Sequence, residues 1–225
     1  MPKLIYLIHS PPHLDRGAFC DRVRYDLAPR LLERNPQALK LGLTDPDLRK
    51  PLYLPIRKTG LALISIWTPD EPAPWTALIQ TLGYYVAGYR VTESTPLAYD
   101  RDWPDGTATP GAALLTLFRK KRGLPREDFI RIWHEGHSPM ALKTHPLWNY
   151  LRNVVDSPIT RDAAPWDAIV EEHFRSEADL TDPRRFFGST LLMVPRLAHV
   201  LAQTNTFLDH KTLESYILSE HWLKS

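Results

Sequence analysis

The chain has 225 residues, 43% of them apolar and 24% charged, proportions that exclude coiled coil and extended disorder. Lysine and arginine number 28 against 26 acidic residues, and the one basic run, Arg119–Arg122, is short enough for a solvated turn, so nucleic acid is not an expected partner. No apolar run approaches the roughly 20 residues that span a bilayer, the N-terminus lacks a leader pattern, and the lone Cys20 excludes an internal disulfide framework, so a cytoplasmic protein without a membrane partner is expected.

The 21 prolines gather at joints, among them Pro11–Pro12, Pro51, Pro55, Pro69, Pro72, Pro74, Pro104 and Pro110, where they set turns and stop elements. Tyr99–Gly111 is a mid-chain stretch without an apolar pattern. It divides the chain into a half at 1–100, a linker at 101–111 and a half at 112–225. Shifted by 110 residues, Leu4–Leu41 aligns on Leu114–Leu151 without a gap and with nine identities. These are Leu4/Leu114, Leu7/Leu117, Leu14/Leu124, Arg16/Arg126, Phe19/Phe129, Pro29/Pro139, Leu32/Leu142, Pro36/Pro146 and Leu41/Leu151. Chance supplies about two or three. Leu61–Trp67 echoes Asp167–Phe174, and Tyr89–Ser94 echoes Tyr216–His221, at other offsets. The halves therefore read as copies of one unit. Cys20, beside Phe19 and aligned with Ile130, reads as a buried thiol.

Each half reads strand, helix, strand, strand, helix, strand. In the second, Ala113–Arg119 is the first strand, and Pro125, Glu127 and Asp128 suit the opening turn of the helix after it. Phe129, Ile132, Trp133 and the Gly136/His137 level recur at helical spacing and share its buried face. Pro139 is expected to kink or end that helix, with Ser138 biased away from helical geometry. Leu147–Val155 and Ala168–Phe174 follow as strands. Met193–Gln203 is a helix with Leu197, Val200 and Leu201 as its apolar face, and Ser215–Leu223 closes the unit. This order predicts an α+β fold of two tandem ferredoxin-like (split βαβ) units. Their bare sheet faces bury each other as an eight-stranded α/β barrel, a pseudo-dimer within one monomeric chain.

Phe129, Trp133 and His137 stand four residues apart and point at the sheet. A histidine on an apolar helix face is commonly a core residue. Here Gly136 allows close approach, and Tyr150, Asn153, Glu172, His173 and His221 converge from the strands. A partly buried imidazole in such company suits proton transfer. His134 and His137, three apart, miss the four-residue spacing of a zincin pair, and no cysteine or acidic cluster supports them, so no metal is expected. Glycine-rich phosphate loops and nucleophile elbows are missing from the sequence.

The run Phe129, Trp133, His137, Ser138, Pro139 resembles the first helix of the EthD family of dimeric α/β-barrel proteins. Tyr150–Asn153 and Ser219–His221 resemble that family's second and last strands. The resemblance covers roughly residues 111–224; Ser138 stands where the family more often has glycine, and Asp156–Trp166 is expanded. It implies a barrel without a cofactor that handles small, often aromatic compounds in a cavity between the second half's helices and sheet. It further implies His137 as the catalytic residue, with Trp133, His134, Tyr150, Asn153, His173 and His221 around the substrate. The first reading is a dehydratase or cyclase acting on an enolisable compound. A non-catalytic binding or stress-associated protein and a monooxygenase without a cofactor are the alternatives. The repeat alignment sets Leu27 against His137, Val23 against Trp133 and Ser94 against His221, so one site is expected, in the second half, with the first as its scaffold.

Overall fold

Strands buried on both faces need apolar residues at nearly every position rather than at alternate ones. β1 (Lys3–His9) and β3 (Leu61–Trp67) are such strands. In a computed structural model, which describes residues 1–44, 47–48, 51 and 53–225, β1 is followed by α1 (Arg16–Asp21), a π-helical turn (Arg22–Leu27) and α2 (Ala28–Leu32). β2 (Ala38–Leu43), β3, α3 (Pro72–Gln80) and β4 (Tyr85–Leu97) complete the first half. The second half runs β5 (Ala112–Phe118), α4 (Arg126–Arg131), a π-helical turn (Ile132–His137), α5 (Ser138–Thr144), β6 (Leu147–Pro158) and β7 (Ala168–Phe174). Two short helices, α6 (Glu177–Thr181) and α7 (Pro183–Phe186), then precede α8 (Met193–Phe207), a 3-10 turn (His210–Thr212) and β8 (Glu214–Lys224).

The strands form one closed antiparallel barrel in the order β1-β3-β2-β8-β5-β7-β6-β4. Within each half the order is fourth, first, third, second. The two sheets do not simply stack face to face. Their edges hydrogen-bond at two seams, β2 with β8 and β4 with β6, so among the described residues no edge strand is left open. One set of alternate side chains fills the interior, including Ile5, Leu7, Leu63, Tyr89, Leu115, Ile169, Tyr216 and Leu218. The other set faces outward beneath the helices. In the first half Phe19, Val23 and Leu27 pack there with Trp75 and Ile79, all essentially without exposure.

Pro139 does not end its helix. Ser138 is helical (φ −60°, ψ −43°), and the chain passes through the π turn directly into α5. In an α-helix the proline ring would press on the carbonyl four residues back. The wider turn relieves that contact, and the Ser138 N–H bonds Trp133 O, five residues back. The first half does the same at Pro29, where the Ala28 N–H bonds Val23 O. The two six-residue π turns stand 110 residues apart.

The linker folds back onto the barrel. Thr109 N–H bonds Glu220 O at 2.7 Å, and Gly106 N–H bonds Trp222 O at 2.6 Å. Gly111, at φ +89°, enters β5 so close to β7 that an added Cβ would lie 1.9 Å from Phe174 O. Left-handed backbone and a backbone clash act together there, so Gly111→Ala should destabilise the chain by roughly 3 kcal/mol or more, read from the urea midpoint.

Candidate active site

On the second half's outer face, the register sets Tyr150, Glu172 and Leu114 side by side on β6, β7 and β5. The next row carries Val170, Thr116 and Ser215, the last two hydroxyls 3.5 Å apart. Helix α8 stands off this floor and leaves a cavity of about 360 Å³. Trp133 and His137 from the π turn, and Leu197, Val200, Leu201 and Phe207 from α8, wall it. The apolar face foreseen on this helix therefore lines a void rather than a packed core, and Leu201 is 50% exposed. Tyr53, Leu54 and Pro55, from the long β2–β3 connection, also line it, so the first half supplies part of the wall. The Tyr53 ring lies 5.3 Å from Phe186 and 5.9 Å from Phe187, and its hydroxyl donates to Leu180 O.

His137 faces this space beside the Phe207 ring, at 5.2 Å. Its Nδ1 is buried without a hydrogen-bond partner among the described residues. Burial, with smaller contributions from His145 and His199, lowers its pKa to about 4, so the imidazole is neutral throughout the physiological range. His145 is likewise lowered to about 4 by burial; its Nδ1 lies 3.0 Å from Phe186 O. Glu172 shows the opposite shift. Burial alone pushes its carboxyl up to about 7.

Ser138 organises the floor's phenol. Its hydroxyl has one proton, which goes to Trp133 O at 3.0 Å. Arg152 donates to Ser138 Oγ at 3.0 Å, and with the Ser138 proton already spent the Tyr150 hydroxyl, 3.3 Å from the same Oγ, is a donor to it. Burial raises Tyr150 to about 12, so the phenol stays protonated.

Of the residues foreseen from sequence, Trp133, His137 and Tyr150 meet in the cavity. His134 lies beside Trp133 with ring centroids 4.8 Å apart, outside the cavity lining. Asn153 and His173 point into the barrel: Asn153 takes a hydrogen bond from Lys3 at 2.9 Å, and His173 Nε2 meets Pro110 O at 2.9 Å. His221 sits opposite Leu41 at the β2·β8 seam, with Nε2 3.4 Å from Ser219 Oγ. A strand's period of two separates these groups: Glu172 faces out while Glu171 and His173 face in. Among the described residues no group of three potential metal ligands occurs.

The inward set forms a second polar cluster. Lys3 Nζ contacts Glu93 at 2.6 Å and Glu171 at 3.4 Å, and Lys40 Nζ contacts Glu171 at 2.7 Å and Glu220 at 3.0 Å. Both lysines come from the first half, while Glu171 and Glu220 come from the second. Lys3 also lies 4.5 Å over Trp67, which stacks on Trp222 at 5.3 Å. Alternate charges within mostly apolar strands, Lys40 in Ala38–Leu43 and Glu171 in Ala168–Phe174, were the available signal for it.

No protein-family model matches the chain, and no curated protein matches it by sequence. Solved structures do match in fold. A Fusobacterium nucleatum protein named as a monooxygenase shares 10% identity at a TM-score of 0.54, over 99% of this chain and 93% of its own. An anthrone oxidase-like protein shares 7% identity at a TM-score of 0.61, over 100% and 94%. At such identities the likeness is one of fold: this chain closes the same kind of eight-stranded barrel within a single polypeptide.

Proposed function

We infer that the chain is an enzyme that removes a proton from a small, largely apolar carbon acid, with His137 as the base. The observation that carries this is a neutral, unpartnered imidazole facing an aromatic-walled cavity. A base of pKa about 4 drives only the removal of a proton whose carbanion is well delocalised, as beside a carbonyl or between aromatic rings. The fold neighbours' names favour oxygenation as the carbanion's fate, ahead of dehydration or cyclisation. In that reaction a methylene carbon gives up both hydrogens and takes one oxygen atom. One methylene and one dioxygen thus yield one ketone and one water, with no external reductant. Membership of the EthD family and an origin by tandem duplication belong to the same proposal. The 110-residue repeat, the matching strand orders and the paired π turns support them.

Anthrone is a suitable test substrate. In air the protein should consume one dioxygen per ketone formed. Under nitrogen it should exchange the methylene protons for deuterium without net turnover. Deuterium exchange with no oxygen uptake in air would instead support the dehydratase or cyclase, and binding without exchange would make the chain a binding protein.

A further inference from the structure

Among the described residues Glu172 is the one carboxyl on the cavity lining, and none of them hydrogen-bonds it. It lies on β7 between Tyr150 of β6 and Leu114 of β5. Among the described residues the other titratable groups of the lining are His137, His145, His210, Tyr53 and Tyr150, with no lysine or arginine. Arg152, two residues along β6 from Tyr150, is directed at Ser138 and at His134 O instead. His210 is engaged with Thr204 at 3.2 Å. A half-buried carboxyl desolvated by an apolar cavity and without a donor is costly to ionise and useful to keep as an acid. Desolvation is the sole cause acting on it and holds its pKa near 7.

We propose that Glu172 is the acid that complements His137, its O–H donating to a carbonyl oxygen of the bound compound. This rests on the reading of His137 as a base. As the C–H bond breaks, its proton passes to His137 and its electron pair becomes the C=C bond. The carbonyl π pair takes the proton of Glu172, leaving an enol, an imidazolium and a carboxylate. Charge then develops as an opposed pair within the cavity rather than as a lone enolate in an apolar site. The proposal adds to the substrate class a requirement that the proton-bearing carbon stand beside a hydrogen-bond acceptor.

The test separates the acid from the base by measuring binding as well as exchange. 1-Tetralone and tetralin differ by one carbonyl oxygen, and their affinities are compared by calorimetry at pH 6 and pH 8. At pH 6 the ketone should bind roughly tenfold more tightly, the worth of one hydrogen bond. That preference should shrink at pH 8, as Glu172 ionises, and vanish in Glu172→Leu, which keeps the side chain's bulk. In His137→Ala the preference should survive while α-deuterium exchange into the ketone is lost. Equal affinities for the two compounds at pH 6, or no binding of either, would overturn the role of Glu172 whatever the exchange rates. A preference for the ketone with no exchange in the parent chain would leave Glu172 as a carbonyl-binding group and refute His137 as the base.

Discussion

Lys40→Met should lower the unfolding free energy at pH 7 by about 3–5 kcal/mol, the range for removing one partner from a buried ionic group. The ammonium is essentially inaccessible and bridges Glu171 and Glu220. Burial alone would push the Glu220 carboxyl up; Lys40, ahead of His173, overrides it and holds the pKa near 2. Glu171 is also held below its ordinary value, burial being outweighed by Lys40 and then Lys3. A carboxylate depressed in the folded state stabilises above its unfolded pKa, and that stabilisation is lost as pH falls through the folded one. In the variant both carboxylates lose Lys40 and rise. The gap between parent and variant should therefore be widest at neutral pH and narrow as the pH drops below about 5, because protonation relieves the variant. Denaturant titrations at pH 7 and pH 4.5 measure it. Pairing Lys40→Met with Glu220→Leu removes one charge of each sign and should recover much of the loss. A single variant as stable as the parent would mean that the interior is wet enough to solvate the carboxylates.

His137→Ala should reduce turnover by about 10²–10⁴-fold, the usual contribution of a positioned base, with little change in the urea midpoint at pH 7. The ring borders a void rather than filling a packed site, so its removal takes away few contacts. A histidine whose folded pKa is lowered contributes stability above its unfolded pKa of about 6.5, which is lost as pH falls through about 4. The variant should accordingly be the more acid-resistant protein. In the parent, the acid limb of the rate profile should lie near pH 4 rather than near 6.5. A large drop in midpoint at pH 7 with turnover intact would make His137 a packing residue.

The barrel was legible because its information is periodic. Apolar alternation, turn prolines and the 110-residue offset are properties of the chain read in one dimension. The helix face bearing Trp133 and His137 was legible for the same reason. What could not be read was the side of the sheet on which each strand residue falls. Tyr150 and Glu172 share the outer face, whereas Asn153 and His173, picked for the same polar character, fall on the inner one. The odd spacings, three residues from Tyr150 to Asn153 and one from Glu172 to His173, put the members of each pair on opposite faces. Pro139 misled for a different reason: proline rules presume an α-helix, and the π turn removes the clash on which they rest. The lysine–glutamate cluster was hidden because its members come from five strands, Lys3 and Lys40 standing more than 130 residues from Glu171.

The β2–β3 connection has a bearing on modularity. Residues 112–225 own the floor of the cavity and its base, yet Tyr53, Leu54 and Pro55 close one side from across the seam. The same fragment also carries Glu171 and Glu220, whose countercharges lie on β1 and β2. Cut at the linker, it would present two unneutralised carboxylates on a newly wetted sheet and an opening where the Tyr53 ring meets Phe186. Such a piece is not a cassette to be grafted or expressed by itself. Substitutions that retune selectivity are therefore as much at home in residues 53–55 of the half without the histidine as in the helix that bears it.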